Sequence, residues 1–349
     1  MKFDTLIAFR PENISYMTGF WGEAAAVLQR GQKPVIVSPE LEAARAESES
    51  GGCEVVVAER GMRGIASTAA RVARAGRRDG AGVCTDCRDY QTMTYLKRAV
   101  PKIVQTEEPF DASRMVKDQS EIAVLRRASR IIDCLFEVCS QKMGAGQRES
   151  ELQAVLMAEA AAQGAFDVGY ASTLNPLIIA GGPNGALPHA QVSQRRFRRG
   201  DMVVVDLTLR YKGYVSDATR TFAVGRPFRE AQDVYDIVRE SQRLGLAAAR
   251  AGAACGSVDA TCRSYIEQQG YGRYFVHSTG HGIGLEVHEL PAVSRNVATR
   301  LHRGMAITVE PGIYLPGRFG VRIEDSLVIR GPGQAPGVLH RFTKDLVTV

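Results

Sequence analysis

The segment from Met202 to Phe222 constrains the fold more than any other stretch of the chain. The run Met202-Val203-Val204-Val205-Asp206-Leu207-Thr208-Leu209-Arg210 is followed by a break at Tyr211-Lys212-Gly213. A second run follows, Tyr214-Val215-Ser216-Asp217-Ala218-Thr219-Arg220-Thr221-Phe222. Two β-rich runs around a short glycine-containing break read as a hairpin. With a two-residue loop at Tyr211-Lys212, Asp206 faces Asp217 directly across the ladder. Like charges opposed in this way are destabilising. They are tolerated inside a protein only when a cation lies between them or one carboxyl is protonated. Metal binding is the economical explanation. The alternative puts both aspartates on a solvent-exposed face, and the apolar run before Asp206 argues against it.

Three more segments carry residues of the same chemistry. In His277-Ser278-Thr279-Gly280-His281-Gly282-Ile283-Gly284-Leu285-Glu286-Val287-His288-Glu289, glycines at alternate positions allow close backbone approach to a ligand or another segment. His281 lies between two of them, and three of the chain's six histidines fall in this segment. Glu310 precedes a Pro311-Gly312 turn. Glu324 stands at a strand start, with Arg322 two residues earlier and placed to orient a carboxylate bidentately. Taken singly, each glutamate is as readily a surface carboxylate. Together Asp206, Asp217, His281, Glu310 and Glu324 describe a site for two divalent cations, and a metal-dependent hydrolase is the first functional expectation. The glycine-rich stretch Gly181-Gly182-Pro183-Asn184-Gly185-Ala186-Leu187-Pro188-His189 is followed by polar and basic residues where a phosphate cradle would need a helix. His189 is therefore read as a substrate-facing donor.

The chain's 349 residues favour two domains. Residues 1 to about 112 read as one α/β unit. Its strands are expected near Leu6 to Phe9, Ala25 to Leu28, Pro34 to Val37 and Val55 to Val57, with a helix from Ile65 to Ala75. Pro109-Phe110-Asp111 marks the boundary, giving expected domains 1–112 and 113–349. Asp118 and Glu121 then have capping-box spacing, and Ile122, Leu125, Ala128, Ile132, Leu135 and Cys139 recur at helical intervals until Gly144 and Gly146. A second helix is expected from Glu149 to Gln163, strands at Leu177 to Ala180, Met202 to Arg210 and Tyr214 to Val224, and helices at Glu230 to Arg250 and Val258 to Gln268. Strands at Ala306 to Glu310 and Glu324 to Arg330 complete the reading. The order helix-helix-strands occurs twice, which suggests a duplicated α+β unit.

Composition excludes several classes. No apolar run approaches the roughly 20 residues of a membrane span. The opening Leu6-Ile7-Ala8-Phe9 run is too short for a secretory signal and follows Asp4, so a cytoplasmic location is expected. Seven cysteines at irregular spacing imply no disulfide framework, and the lone Cys84-Thr85-Asp86-Cys87 has no second pair for a zinc knuckle. Within a net charge of +6, the densest basic run is Arg195, Arg196, Arg198 and Arg199. It reads as a solvated loop before a strand, and no nucleic-acid partner is expected.

These segments resemble the creatinase/prolidase/methionine aminopeptidase superfamily of pita-bread metallopeptidases, and within it the Xaa-Pro peptidase branch of prolidase and aminopeptidase P. "RPENISYMTGF" (Arg10 to Phe20) is similar to the opening of that branch's amino-terminal domain, and "RMVKDQSEI" (Arg114 to Ile122) to the entry of its catalytic domain. "GPNGALPH", "VVDLTLRYKGYVSDATRTF", "HSTGHGIGLEVHE", "TVEPGIY" and "GVRIEDSLV" follow in the family's order, so the resemblance covers most of the chain.

The resemblance implies an α+β protein: a small α/β creatinase-like amino-terminal domain, then a pita-bread catalytic domain of duplicated helix-helix-strands. It implies two divalent metal ions per chain, Mn, Co or Zn. Asp206 would bind one and Asp217 bridge both; His281 would complete one site; Glu310 and Glu324 would be ligands, Glu324 bridging. Glu310 would also shuttle the proton, His189 and His288 would stabilise the tetrahedral intermediate and hold the substrate carbonyl, and His277 would join Arg322 in supporting the ligands. The implied reaction is hydrolysis of the peptide bond preceding proline in Xaa-Pro dipeptides, by a hydroxide bridging the two metals. The alternatives are aminopeptidase P action on longer Xaa-Pro peptides and a metal-free creatinase-like relative, against which the presence of all five ligands argues. Methionine aminopeptidase lacks the amino-terminal domain and the "PENI" opening. The expected partners are a proline-containing di- or oligopeptide and a second copy in a homodimer, with no membrane. Two departures stand out: the family's leading amphipathic helix is absent, and Ala292 follows Pro291 where many relatives carry an arginine, with Arg295 close by.

Overall fold

The computed structural model describes residues 3–75, 82–169 and 177–349. Its contacts divide the chain into two compact units, Met1–Arg114 and Met115–Val349.

The first unit contains β1 (Thr5–Ala8), α1 (Pro11–Thr18), β2 (Ala25–Gln29), β3 (Val35–Pro39), α2 (Glu40–Glu49), β4 (Glu54–Ala58), α3 (Gly61–Ala75), β5 (Val83–Thr85), α4 (Tyr90–Ala99), β6 (Val104–Gln105) and α5 (Glu108–Met115). The strands form one sheet in the order β4-β3-β2-β1-β5-β6. β1, β2 and β3 pair antiparallel, and the outer pairings β3–β4, β1–β5 and β5–β6 are parallel. Ile7, Val27 and Val37 pack against Ile65, Ala66, Ala69 and Ala70 of α3, the buried face its alanine-rich spacing presents. Asp86 is the polar anchor of this unit. It accepts from the Phe9 amide at 2.6 Å and from Asn13 Nδ2 at 2.7 Å, fixing the start of α1.

The second unit opens with α6 (Gln119–Lys142) and α7 (Glu149–Ala162). β7 (Ala165–Asp167), β8 (Leu177–Gly181), β9 (Met202–Tyr211) and β10 (Tyr214–Ala223) follow. A second helix pair, α8 (Arg229–Ala248) and α9 (Cys255–Gln268), precedes β11 (Gly280–Gly282), β12 (Glu289–Val293), β13 (Ala306–Val309), β14 (Gly312–Leu315), β15 (Phe319–Arg322), β16 (Asp325–Val328), β17 (Gly337–Val338) and β18 (Val347–Thr348). Helix pair then strands thus occurs twice. One sheet runs β18-β10-β9-β7 with β8 also on β9, a second runs β12-β11-β13-β16-β17, and β14–β15 is a separate hairpin. Each helix pair has its own core. α6 and α7 bury Ile132, Leu135, Phe136, Leu152 and Leu156 against β8, β9 and β10. α8 and α9 bury Val234, Val238, Val258 and Ile266 with Ile307, Ile313 and Val321.

The capping box of α6 forms as the spacing predicts: Asp118 accepts from the Glu121 amide at 2.9 Å, and Glu121 accepts from the Asp118 amide at 2.7 Å. The seven cysteines are free thiols. Among the described residues no helix is long and apolar enough to cross a membrane.

Candidate metal centre

The β9–β10 hairpin forms, but in a different register from the one expected. Tyr211 pairs with Tyr214, and the loop is Lys212-Gly213, not Tyr211-Lys212. Both loop residues have positive φ, 46° and 84°. A two-residue hairpin turn of the type matching strand twist requires this, and glycine supplies it readily at the second position. The shift carries Asp206 opposite Thr219 and Asp217 opposite Thr208. The two aspartates are therefore diagonal neighbours on one face, still within reach of each other.

Each threonine holds a carboxylate. Thr208 Oγ1 donates to Asp217 Oδ1 at 2.9 Å, and Thr219 Oγ1 donates to Glu324 Oε2 at 2.7 Å. The Glu324 amide also donates to the Thr219 carbonyl at 3.0 Å, which brings the residue before β16 onto the hairpin.

His281 arrives from the other sheet, and the alternating glycines explain how. A Cβ on Gly280 would lie 2.1 Å from the Thr308 carbonyl oxygen, and one on Gly282 would lie 2.3 Å from that of Leu290. β11 therefore sits closer to its neighbours than any side chain permits. His281 Nδ1 lies 3.0 Å from the Gly282 carbonyl, which accepts its hydrogen and leaves the Nε2 lone pair facing inward. Nε2 is 3.4 Å from Glu310 Oε1 and 3.9 Å from Asp217 Oδ2. One ligand atom each from Asp217, His281 and Glu324 lie within 4.8 Å of one another. Glu310, in the link between β13 and β14, is fixed by its amide donating to the Thr279 carbonyl at 2.8 Å.

Electrostatics show what this assembly is suited to hold. Burial, then the charges of Asp206 and Glu310, pushes the Asp217 carboxyl well above its ordinary range. Burial pushes Glu310 up to about 8, opposed by Arg322 and reinforced by Asp206. Glu324 is raised by burial and then by Asp217, Glu310 and Asp206. Burial, followed by neighbouring His288, holds His281 down to about 3, so its ring is neutral. Asp206 Oδ1 and Glu324 Oε1 are buried without a hydrogen-bond partner. Four carboxylates sharing a buried volume, two orphaned oxygens and a neutral imidazole nitrogen form the donor set of a divalent cation site, so the residues fit the metal that the sequence implied.

Arg322 supports the cluster differently from expectation. It does not clasp one carboxylate bidentately. Nη2 donates to Asp206 Oδ2 at 2.5 Å, Nε donates to Thr219 Oγ1 at 3.0 Å, and Nη1 donates to Tyr314 Oη at 2.7 Å and to the Pro188 carbonyl at 3.1 Å. Its fork is spread over four partners because it ends β15 and is buried among them. The Pro188 contact ties the His189 segment to the cluster. That segment is not an open loop: Gly182–Ala186 forms a 3₁₀ turn, and His189 is exposed beyond it. His189 joins no ligand group within the described residues, although its charge is among the causes, after burial, that lower His277 and His288. His288 is exposed, its ring 4.4 Å from that of His281. His277 Nε2 lies 2.8 Å from Tyr314 Oη.

Tyr314, Thr208 and Thr219 were not singled out from sequence. The two threonines became legible only with the correct register, and Tyr314 stands in the quoted "TVEPGIY" segment as an ordinary β residue. Arg295, the residue near Ala292, is exposed with Nη2 3.3 Å from Glu267 Oε1.

Comparison with known proteins shows the family. The profile described as metallopeptidase family M24 matches residues 123–331, and that of the creatinase/prolidase N-terminal domain matches residues 1–116. An Xaa-Pro dipeptidase of Pyrococcus furiosus is 39% identical over 241 residues, 68% of this chain and 67% of that protein. The solved Xaa-Pro dipeptidase from Bacillus anthracis superposes with a TM-score of 0.89 at 33% identity, covering 99% of this chain and 95% of that one. The X-Pro aminopeptidase from Thermotoga maritima superposes at 0.87 with 29% identity, covering 100% of this chain and 98% of that one.

Proposed function

From the premise that this chain belongs to metallopeptidase family M24, we propose that it hydrolyses the peptide bond preceding proline, with Xaa-Pro dipeptides as its substrates. It is a metallopeptidase, and its family implies divalent metal ions. The observation that carries the reading is the convergence of Asp217, His281 and Glu324 within 4.8 Å, with Asp206 and Glu310 acting electrostatically on the same group. In our reading Asp206, Asp217, His281, Glu310 and Glu324 hold two cations, Mn, Co or Zn.

When bound, such cations polarise the scissile carbonyl and activate water at neutral pH. The chain supplies the rest. Glu310, next to the ligand nitrogen of His281, accepts the proton of the attacking water and returns it to the proline nitrogen. That nitrogen is a tertiary amide without a hydrogen, so it leaves only once protonated. Neutral His288, lowered chiefly by burial, presents an uncharged donor to the substrate carbonyl oxygen, and His189 faces it from the turn that Arg322 secures. Arg322 and Tyr314 set the position of Asp206, and His277 braces Tyr314. The division of labour follows domains 1–112 and 113–349, with the second carrying the chemistry and a homodimer as the working form.

The aminopeptidase structure from Thermotoga maritima, matched over the whole chain, favours a second reading: removal of the first residue from longer Xaa-Pro peptides. Comparing an Xaa-Pro dipeptide with an Xaa-Pro-Xaa tripeptide on manganese-loaded protein separates the two. The dipeptidase reading expects strong preference for the dipeptide. Equal or faster tripeptide cleavage establishes the aminopeptidase, and cleavage of neither removes both.

A further inference from the structure

A cleft of about 310 Å³ opens on the second unit, at the lower end of the ~300–1,000 Å³ typical of small-molecule sites. It shares no residue with the carboxylate cluster. Lys117, Gln119 and Arg126 line it from the start of α6, Arg303 from the turn before β13, and Arg330 and Gln334 from the segment after β16. No carboxylate lines it.

The charges on its walls are uneven in what already satisfies them. The Lys117 side chain is 1% exposed and its Nζ lies 2.9 Å from Glu289 Oε2, so this cation is fixed in place by one acceptor. Arg126, Arg303 and Arg330 are exposed, and among the described residues none has an ion pair or a hydrogen-bonded partner. The acids at the start of α6 do not answer them: Asp118 and Glu121 are engaged in the capping box, and Glu121 also accepts from Tyr214 Oη. Arginines scattered on a surface are ordinarily solvated singly. Here three unmatched guanidiniums line one concavity, with two glutamine amides beside them, while the charge of buried Lys117 is already answered by Glu289.

We propose that this cleft binds the phosphate group of a small phosphorylated molecule. Planar guanidinium forks match phosphate oxygens in geometry, and several together match a dianion better than a monoanionic carboxylate. The cleft is larger than a bare oxyanion needs, and the apolar Ile122 and Val328 in its wall can receive an organic remainder.

The test is calorimetric titration of the metal-loaded protein with inorganic phosphate and, separately, with a nucleoside monophosphate. One saturable site is expected, weakened by added salt. Arg303→Ala and Arg330→Ala should each lower affinity about tenfold, with melting temperatures unchanged because both side chains are exposed. Equal affinity for the two probes identifies the ligand as the free oxyanion, and tighter nucleotide binding identifies a phosphorylated metabolite; both support the site. Absence of saturable binding up to ~10 mM of either probe overturns the proposal. So does binding that both substitutions leave unchanged, which would place the anion at the metal centre.

Discussion

Asp217 is 5% exposed and surrounded by like charge, so its carboxylate is costly to the fold, a cost that the proposed cation would offset. Asp217→Asn should therefore act in opposite directions on two measurements. Activity should fall by about 100-fold or more, since removing groups that merely support a metal site already costs ~10–100-fold. The metal-free variant should nevertheless melt higher than the metal-free parent; a lower melting point would show that the carboxylate is a net stabiliser and contradict the picture of unrelieved repulsion.

The same cluster gives a pH signature. Glu310 titrates near 8 in the fold against 4.5 for a free glutamate, and Asp217 and Glu324 shift the same way. The folded state thus binds more protons than the unfolded chain across that interval, and its stability falls as pH rises. His281 and His277, both held near 3 against 6.5, oppose this below about 6.5, where the unfolded chain binds the extra proton. Between about pH 6.5 and 8 only the carboxylate effect remains. Chelator-treated protein should lose melting temperature steadily through that window, and added Mn²⁺ should restore more of it at pH 8 than at pH 6.5. A flat or rising profile in the chelated protein would refute the coupling.

At this scale the sequence showed the five residues proposed as ligands but not the groups that hold them. Asp206, Asp217, His281, Glu310 and Glu324 stand beside turns and glycines that signal special geometry. Thr208 and Thr219 were invisible because a one-residue error in loop position shifts the pairing by two residues, which changes every cross-strand partner while keeping each side chain on its face. The spread of Arg322 over four partners depends on tertiary approach that no local spacing records.

Among the elements, β11 is the one whose placement depends most on residue size. Gly282→Ala would set a methyl group 2.3 Å from the Leu290 carbonyl, a contact that β12 must move to relieve. The expected cost is about 1–3 kcal/mol, as for other overpacked sites, together with loss of activity through displacement of His281. Normal turnover and melting in this variant would show that β11 does not need the close approach. Asp118→Ala is the contrasting case. It removes the cap of α6 and should cost about 1 kcal/mol while leaving kcat intact, because the cap touches none of the ligands.

The long amphipathic helices were legible because α6 shows both its start signal and an unbroken apolar period. The short strands β11, β12, β14 and β15 were not. Three of them have only three or four residues and contain or adjoin glycines, too few positions for alternation to emerge. α1 carried a signal that went unread: Pro11 at its first turn and Gly19 closing it at φ 80°.

For the whole molecule, the repeat of a helix pair followed by strands was visible in element order alone, since each pair needs a sheet to bury its apolar face. Its pairing into two sheets was not, because pairings outside the β9–β10 hairpin join strands far apart in sequence, as when β9 takes β8 and β10 takes β18. The central claim is that this fold brings five ligand residues together to hold two cations that activity requires. The direct test is a titration of chelator-treated protein with Mn²⁺, following Xaa-Pro dipeptide hydrolysis against metal bound per chain. The account predicts no activity without metal and a plateau at two equivalents. Activity that survives removal of the metal, or a plateau below half an equivalent, would contradict it.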